Sequence, residues 1–324
     1  MTLHIKFVPM TSSEKQTSQK KILCIGNVSV DIKAYSPEED ENESYRDGTI
    51  ELVPGGVGRG MAVNLKHLGF DSYIFSVVGE DIFGRYLKDG LDQENVNTSL
   101  LRRSSTHKTA LFSVMASVGK RASCIYNTNI LKEIVLDQQA LDFIKQENIR
   151  NFVMDSNLNE ETLKAFYDLK NADPDIFIFQ NATSPDIARK TLDFAPLMDL
   201  FAANEFEAQA ILGETPIPDI STADKMQHLG FKNFIITFGN RGVMVRTGNE
   251  TWIEPPYKPS FIADTIGAGD AFASGFLTGY LEKLSIKQCI HYGLACAKET
   301  LLTKQTVSNK LSRDFLDQYK IDSL

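Results

Sequence analysis

Short runs of apolar and β-branched residues recur along this chain, separated by longer stretches whose apolar positions fall three or four apart. The runs at residues 22–25, 73–78, 152–154, 176–179, 200–202, 234–238 and 243–245 predict strands. Residues 162–168, 206–212 and 223–229 carry the helical period. This alternation predicts βαβ units on a mostly parallel sheet, and uninterrupted apolar strands predict a sheet covered on both faces. The fold class is therefore α/β.

Two segments break the rhythm. Residues 34–54 are acidic around Glu38-Glu39-Asp40-Glu41 and end in Ile50-Glu51-Leu52-Val53-Pro54. Residues 107–128 read as two strands, 109–116 and 122–126, around Gly119. Both are expected to be antiparallel excursions that build a small β lid from two separated pieces of chain. The alternation Leu3, Ile5, Phe7 allows an extra strand within residues 1–20, a flexible tail being the alternative. Residues 21–324 form the main domain. No internal repeat or low-complexity linker interrupts it.

Composition narrows the function. With 324 residues, the chain can bury a large core without disulfides or metal. The net charge of −8 and the lack of a dense Lys/Arg block exclude a nucleic-acid backbone as the expected partner. Bound phosphates remain compatible, because main-chain amides and a metal ion hold them locally. The four cysteines form no CxxC pair, which argues against zinc or redox chemistry. Cys289 and Cys296 stand seven apart on one face of an expected helix, a spacing that suits packing. No run reaches the ~18 apolar residues of a membrane span, and the N-terminal residues lack a secretory apolar core. A cytoplasmic protein is the expectation.

The richest string is Asp264-Thr265-Ile266-Gly267-Ala268-Gly269-Asp270-Ala271-Phe272. Phe272, Phe276 and Tyr280 then recur at helical spacing, so the glycines sit at a helix N-terminus. Free N–H groups and the positive end of the helix dipole meet there, suited to charge on a transferred phosphoryl group. Asp270 falls in the first turn, where a carboxylate can accept the proton of an attacking hydroxyl. The plainer alternative is a capped turn with a dipole-complementing acid. A second glycine cluster runs Gly55-Gly56-Val57-Gly58-Arg59-Gly60-Met61-Ala62-Val63-Asn64-Leu65. It predicts a helix from about Arg59, with Met61, Leu65 and Leu68 on one face and Gly69 closing it.

These two strings together resemble the ribokinase (PfkB) family of carbohydrate kinases, over roughly residues 21–310. The resemblance implies a three-layer α/β/α sandwich with a mostly parallel sheet and a β lid. It implies phosphoryl transfer from ATP to a hydroxyl, expected to be primary, of a sugar or nucleoside. Asp270 is then the base, and the amides of Gly267, Ala268 and Gly269 form the anion hole. Gly55 and Gly56 match the family's sugar-binding glycine pair. Asp31, in Gly26-Asn27-Val28-Ser29-Val30-Asp31, matches an aspartate that accepts from sugar hydroxyls. Asn27, Arg59 and Asn129 complete the expected acceptor contacts, and Gly79, Asp81 and Gly84 follow at the family's spacing.

Asn204 and Glu207 resemble the family's NxxE pair, with Glu207 organising Mg²⁺ through water. The same two residues also read as a helix capping box. Thr237, Gly239 and Gly242 resemble a nucleotide-binding TxGxxG turn, a plain hairpin being the alternative. Whether a monovalent cation such as K⁺ is needed is left open. Lids of this kind imply a homodimer and a cover that excludes water.

The VP-GGVGR string is particularly similar to pseudouridine kinases, but Gly60 stands where that subgroup carries a substrate-holding Asn. Gln180-Asn181-Ala182 also replaces an Asp that ribokinase relatives often place after that strand. These departures leave pseudouridine as a candidate acceptor among others. A P-loop is excluded, since Met61 stands where Lys is required. Two competitors are a nicotinamide oxidoreductase, supported only by the cluster at 55–60, and a catalytically silent sugar or nucleoside sensor on the same fold.

Overall fold

A computed structural model of the chain describes residues 20–36, 47–117 and 123–321. Strand β1 (Lys21–Ile25) shows what organises it. Leu23 and Ile25 enter one apolar cluster and Ile22 and Cys24 another, as a two-residue period requires, and all four are fully buried. A strand apolar on both faces needs cover on both.

The chain continues through β2 (Ser29–Ser36), β3 (Thr49–Gly55), α1 (Val57–His67), β4 (Asp71–Gly79), α2 (Ile82–Gln93), β5 (Asn97–Ser104), β6 (Ala110–Ser117), β7 (Ser123–Asn127), α3 (Gln138–Gln146) and β8 (Asn151–Asp155). It goes on through α4 (Glu160–Ala172), β9 (Phe177–Asn181), β10 (Leu200–Asn204), α5 (Glu205–Leu212), α6 (Ile220–His228), β11 (Asn233–Thr237), β12 (Val243–Thr247) and β13 (Glu250–Glu254). Helices α7 (Ala268–Leu281), α8 (Ile286–Thr300) and α9 (Arg313–Asp317) complete it.

The large sheet has nine strands in the order β13-β12-β11-β10-β9-β8-β1-β4-β5. Pairing is parallel from β11 to β5, and β12 and β13 add antiparallel at one edge. One core cluster joins the sheet to α3–α6 through residues such as Leu141, Phe166, Ala208 and Met226. The other joins its opposite face to α1, α2, α7 and α8 through Met61, Leu87, Phe276 and Ile290. The result is a three-layer α/β/α sandwich. Among the described residues no helix is long and apolar enough to cross a membrane.

The lid is a separate four-stranded sheet in the order β3-β2-β6-β7. It is not purely antiparallel as expected: β2 and β6 pair in parallel, in register from Ser29↔Ala110 to Ser36↔Ser117. Asp31 accordingly lies within a lid strand and not in a loop after β1. The pattern also missed β5 and β13. Both lie at sheet edges and are part-exposed, so neither shows an uninterrupted apolar run. The strand expected from Leu3, Ile5 and Phe7, the acidic run at 38–41 and the turn at Gly119 lie outside the described residues.

Helices α7 and α8 pack against each other in the layer that also holds α1 and α2. Cys289 and Cys296 are buried in α8, facing glycines of α7. A methyl group on Gly275 would lie 2.6 Å from the Tyr292 carbonyl oxygen and 2.8 Å from Cys296 Sγ. Gly275→Val should therefore overpack this contact and cost about 1–3 kcal/mol, read as a lower urea midpoint. An unchanged midpoint would show that the contact has slack.

Candidate active site

Parallel strands end together, and here the ends carry polar residues. Asn27 follows β1, Asp155 ends β8, Asn181 ends β9, Asn204 ends β10 and Thr237 ends β11. The chain departs to opposite sides of β1, toward β4 and toward β8, so a crevice opens at this point. Asp155 braces it: Oδ2 accepts from the Asn27 N–H at 2.6 Å and Oδ1 from the Asn157 N–H at 3.0 Å. Burial raises its pKa despite those hydrogen bonds.

Helix α7 aims its N-terminus at the same crevice. Its cap, Gly267, has φ 87° and ψ −12°, a left-handed conformation. A side chain there would also strike the Thr306 carbonyl oxygen at 2.1 Å. Before it, Asp264 Oδ1 accepts the N–H groups of Thr265 (2.6 Å) and Ile266 (3.1 Å), which folds the loop. The opening amides of the helix have no preceding carbonyl within it to pair with. Ala268 N–H makes only a long 3.4 Å bond to Thr265 O.

Asp270 stands on the first turn, partly buried, with Asn181 Nδ2 donating to its Oδ1 at 3.5 Å. Burial, then the Glu207 and Asp155 carboxylates, push it up to about 8. Glu207, at the start of α5, is pushed up to about 7 by burial, which outweighs the hydrogen bonds from Asn204.

Two cavities meet at Asp270. One, of about 410 Å³, lies under the lid and is lined by Asn27, Asp31, Gly56, Gly60, Phe112, Tyr126, Thr128, Asn157 and Asp186, among others. The other, of about 420 Å³, is lined by Asn181, Asn204, Glu207, Thr237, Gly269 and Phe272, among others. Val57, Thr183, Ile266, Gly267 and Asp270 border both. A group held at this junction would face a carboxylate and a helix N-terminus at once.

A family model described as pfkB family carbohydrate kinase matches residues 19–313. The chain belongs to this family. Among curated relatives, the pseudouridine kinase of Escherichia coli is 26% identical over 90% of this chain and 93% of its own length. The ribokinase of Haemophilus influenzae is 24% identical over 90% and 95%. Arabidopsis thaliana ribokinase, solved with ribose and ATP, superposes with a TM-score of 0.79 at 19% identity, covering 92% of this chain and 97% of that one. The protein is a sugar or nucleoside kinase with the ribokinase-like fold. Family membership removes the nicotinamide alternative. The Gly55–Gly60 cluster follows β3 of the lid and is not the turn of a parallel βαβ unit.

The pfkB-family kinase brings most of the expected residues together. Asn27, Asp31, Gly56, Gly267 and Asp270 line the lid-side cavity, and Asn204, Glu207, Thr237 and Gly269 line the other. Ala268 lies between Gly267 and Gly269 on the same turn. The buried Oδ1 of Asn27 has no partner among the described residues and is free to accept a hydrogen bond. Asp31 is pushed up to about 6 by burial, which outweighs the favourable charges of Lys33 and Arg59. It is therefore an ionised acceptor above that pH.

Other expected residues stand back from the cavities. A side chain on Gly55 would collide with the Asp31 carboxylate at 2.2 Å, so Gly55 makes room for Asp31 instead of lining the wall. Arg59 is buried and turned to the carbonyl of Pro54 (3.1 Å) and Thr306 Oγ1 (3.2 Å). Asn129 is exposed, with Lys132 donating to it, and its neighbour Thr128 lines the cavity instead. Gly239 and Gly242 close the β11–β12 hairpin, where Gly242 packs on the Glu254 carbonyl. Asn204 and Glu207 do form a capping box while also facing the cavity. Asp81 caps α2 and binds Thr109 through both main and side chain, so it anchors the start of lid strand β6.

Phe112, Tyr126, Asn157, Thr183 and Asp186 were not anticipated from sequence. The lid alternation contained Phe112 and Tyr126, but period two alone does not say which face looks inward. Gly60 faces Asp270: a methyl there would lie 3.2 Å from Asp270 Oδ2. Gly60→Ala should gain about 0.5–1 kcal/mol of stability inside a helix, yet lower turnover by crowding Asp270. Thermal melts and kcat on one preparation test this, and undiminished kcat would show that the space is unused.

Proposed function

We propose that this kinase transfers the γ-phosphoryl group of ATP to a primary hydroxyl of a nucleoside or nucleoside-like sugar, with pseudouridine as first candidate. The observation that carries the reading is Asp270 standing where the two cavities meet. A hydroxyl presented from the lid side reaches the carboxylate that takes its proton. A phosphate presented from the other side reaches the amides of Gly267, Ala268 and Gly269, which offset charge on the moving group.

Asp31 and the free Asn27 Oδ1 suit the hydroxyls of a sugar ring, one end of such an acceptor. The other end is roofed by Phe112 and Tyr126, stacked at 5.4 Å between ring centroids. Tyr126 also donates to Asp186 at 3.2 Å across the cavity. An aromatic roof with polar walls suits a base on a ribose better than a bare sugar. The relative named for pseudouridine and the cytidine kinase of Thermococcus kodakarensis, 27% identical over 86% of this chain, support a nucleoside acceptor. Nothing in the comparisons supports a silent sensor.

Asn204 and Thr237 are assigned to the nucleotide. Burial raises both Glu207 and Asp270, and the Glu207 carboxylate raises Asp270 further, a charge excess that Mg²⁺ brought with ATP would offset. The described residues hold no group of three or more acidic, His or Cys side chains able to cage a metal. The pair therefore fits an ion whose remaining ligands are phosphate and water, and Mg²⁺ supplies charge neutralisation on the phosphates. A cytoplasmic setting, where ATP is available, goes with this reading.

The outer face of the lid supports a homodimer. Leu52 lies opposite Ile32, Ile50 and Met115 flank Ala34, and Ile125 lies opposite Ser113, all on the side away from Asp31 and Phe112. Ile50, Leu52, Met115 and Ile125 are exposed, and a second copy of this face would cover them.

Two experiments test this reading. ADP release with Mg·ATP should rise on one member of a panel of pseudouridine, other nucleosides, ribose and fructose. Asp270→Asn should lower that kcat by about 10²–10⁴ without unfolding the protein, and unchanged turnover would remove Asp270 as base. By light scattering, the wild type should exceed the 36.2 kDa of one chain and Ile125→Glu should return to it. A monomeric wild type would refute the lid dimer.

A further inference from the structure

Lys33 is a buried cation that the transfer chemistry leaves without a task. It stands two residues after Asp31 on β2, on the same face of the lid sheet, and is 1% exposed. Its Nζ donates to Asp264 Oδ2 at 2.5 Å and to the carbonyl of Lys304 at 3.3 Å. The other oxygen of Asp264 accepts the N–H groups of Thr265 and Ile266, directly before Gly267. One carboxylate therefore shapes the anion-hole loop with one oxygen and grips a lid strand with the other. The surface acid Glu51 is engaged elsewhere, with Lys304.

An ammonium held by a carboxylate and a main-chain carbonyl does what a bound monovalent cation would do there: it fixes one positive charge against the loop. These donors do not fit a free ion as well, because Lys33 already occupies them. We propose that Lys33 is a positioning residue that acts as a tethered monovalent cation. It holds the loop of residues 264–269 in register with the strand carrying Asp31, and phosphoryl transfer then needs no added K⁺. The inference rests on the kinase reading for its consequence, but its geometry can be tested without turnover.

Hydrogen–deuterium exchange needs no acceptor. In Lys33→Met, the amides of residues 29–36 and 264–269 should exchange faster together. Replacing tetramethylammonium chloride by potassium or ammonium chloride at equal ionic strength should slow the loop again. Loop exchange that is unchanged, or that rises without responding to the small cations, overturns the proposal. In turnover with Mg·ATP and pseudouridine, the wild type should be indifferent to the same exchange of salts. Lys33→Met should lose about 10–10² in kcat with the KM for ATP retained, and should regain most of it in potassium chloride. Wild-type turnover that depends on added potassium overturns the proposal, even if Lys33→Met fails to fold. If neither protein turns over pseudouridine, the acceptor assignment fails and the exchange result decides the inference.

Discussion

The parallel run from β11 to β5 forces the rest of this structure. Parallel pairing sends every carboxyl end to one edge, and the departure of the chain to either side of β1 opens that edge into a crevice. The bond from the Asn27 amide to Asp155 ties the two strands at the opening, with Asp155 fully enclosed. Asn27, Asn181, Asn204 and Thr237 share a site because their strands end together, although up to 210 positions separate them along the chain.

Onto this edge the fold brings more negative charge than it neutralises. Asp270, Glu207 and Asp155 each lose solvent, and Asp270 feels both of the others. Such clusters are costly in a resting protein and are kept where chemistry uses them. The N-terminus of α7 supplies a partial positive charge at the same spot. The geometry thus favours a partner that arrives with cationic character beside its phosphates and a hydroxyl that gives up a proton.

The lid is coupled to this centre through buried polar contacts. Lys33 reaches Asp264, and Arg59 and Thr306 both donate to the Pro54 carbonyl while Thr306 backs Gly267. Leaving one member of a buried ion pair without its partner costs on the order of 3–5 kcal/mol. The lid strand carrying Asp31 is thereby tied to the loop that leads into the helix carrying Asp270.

Much of this was legible in the residues themselves. Continuous apolar runs marked seven strands, since a strand buried on both faces can carry little else. The string from Asp264 to Phe272 announced a helix N-terminus with a carboxylate in its first turn, because glycine placement and helical spacing are local properties. The edge strands β5 and β13 were not legible, since half-exposed strands mix polar with apolar positions. Nor was the parallel pairing of β2 with β6, which depends on where two distant segments meet. Only the tertiary structure turned Phe112 and Tyr126 inward, set Gly60 against Asp270, turned Arg59 and Asn129 away, and placed Lys33 on Asp264. Local sequence dictates what a backbone segment does, whereas the face a side chain presents, and the charge it meets there, are decided by segments far away in the chain.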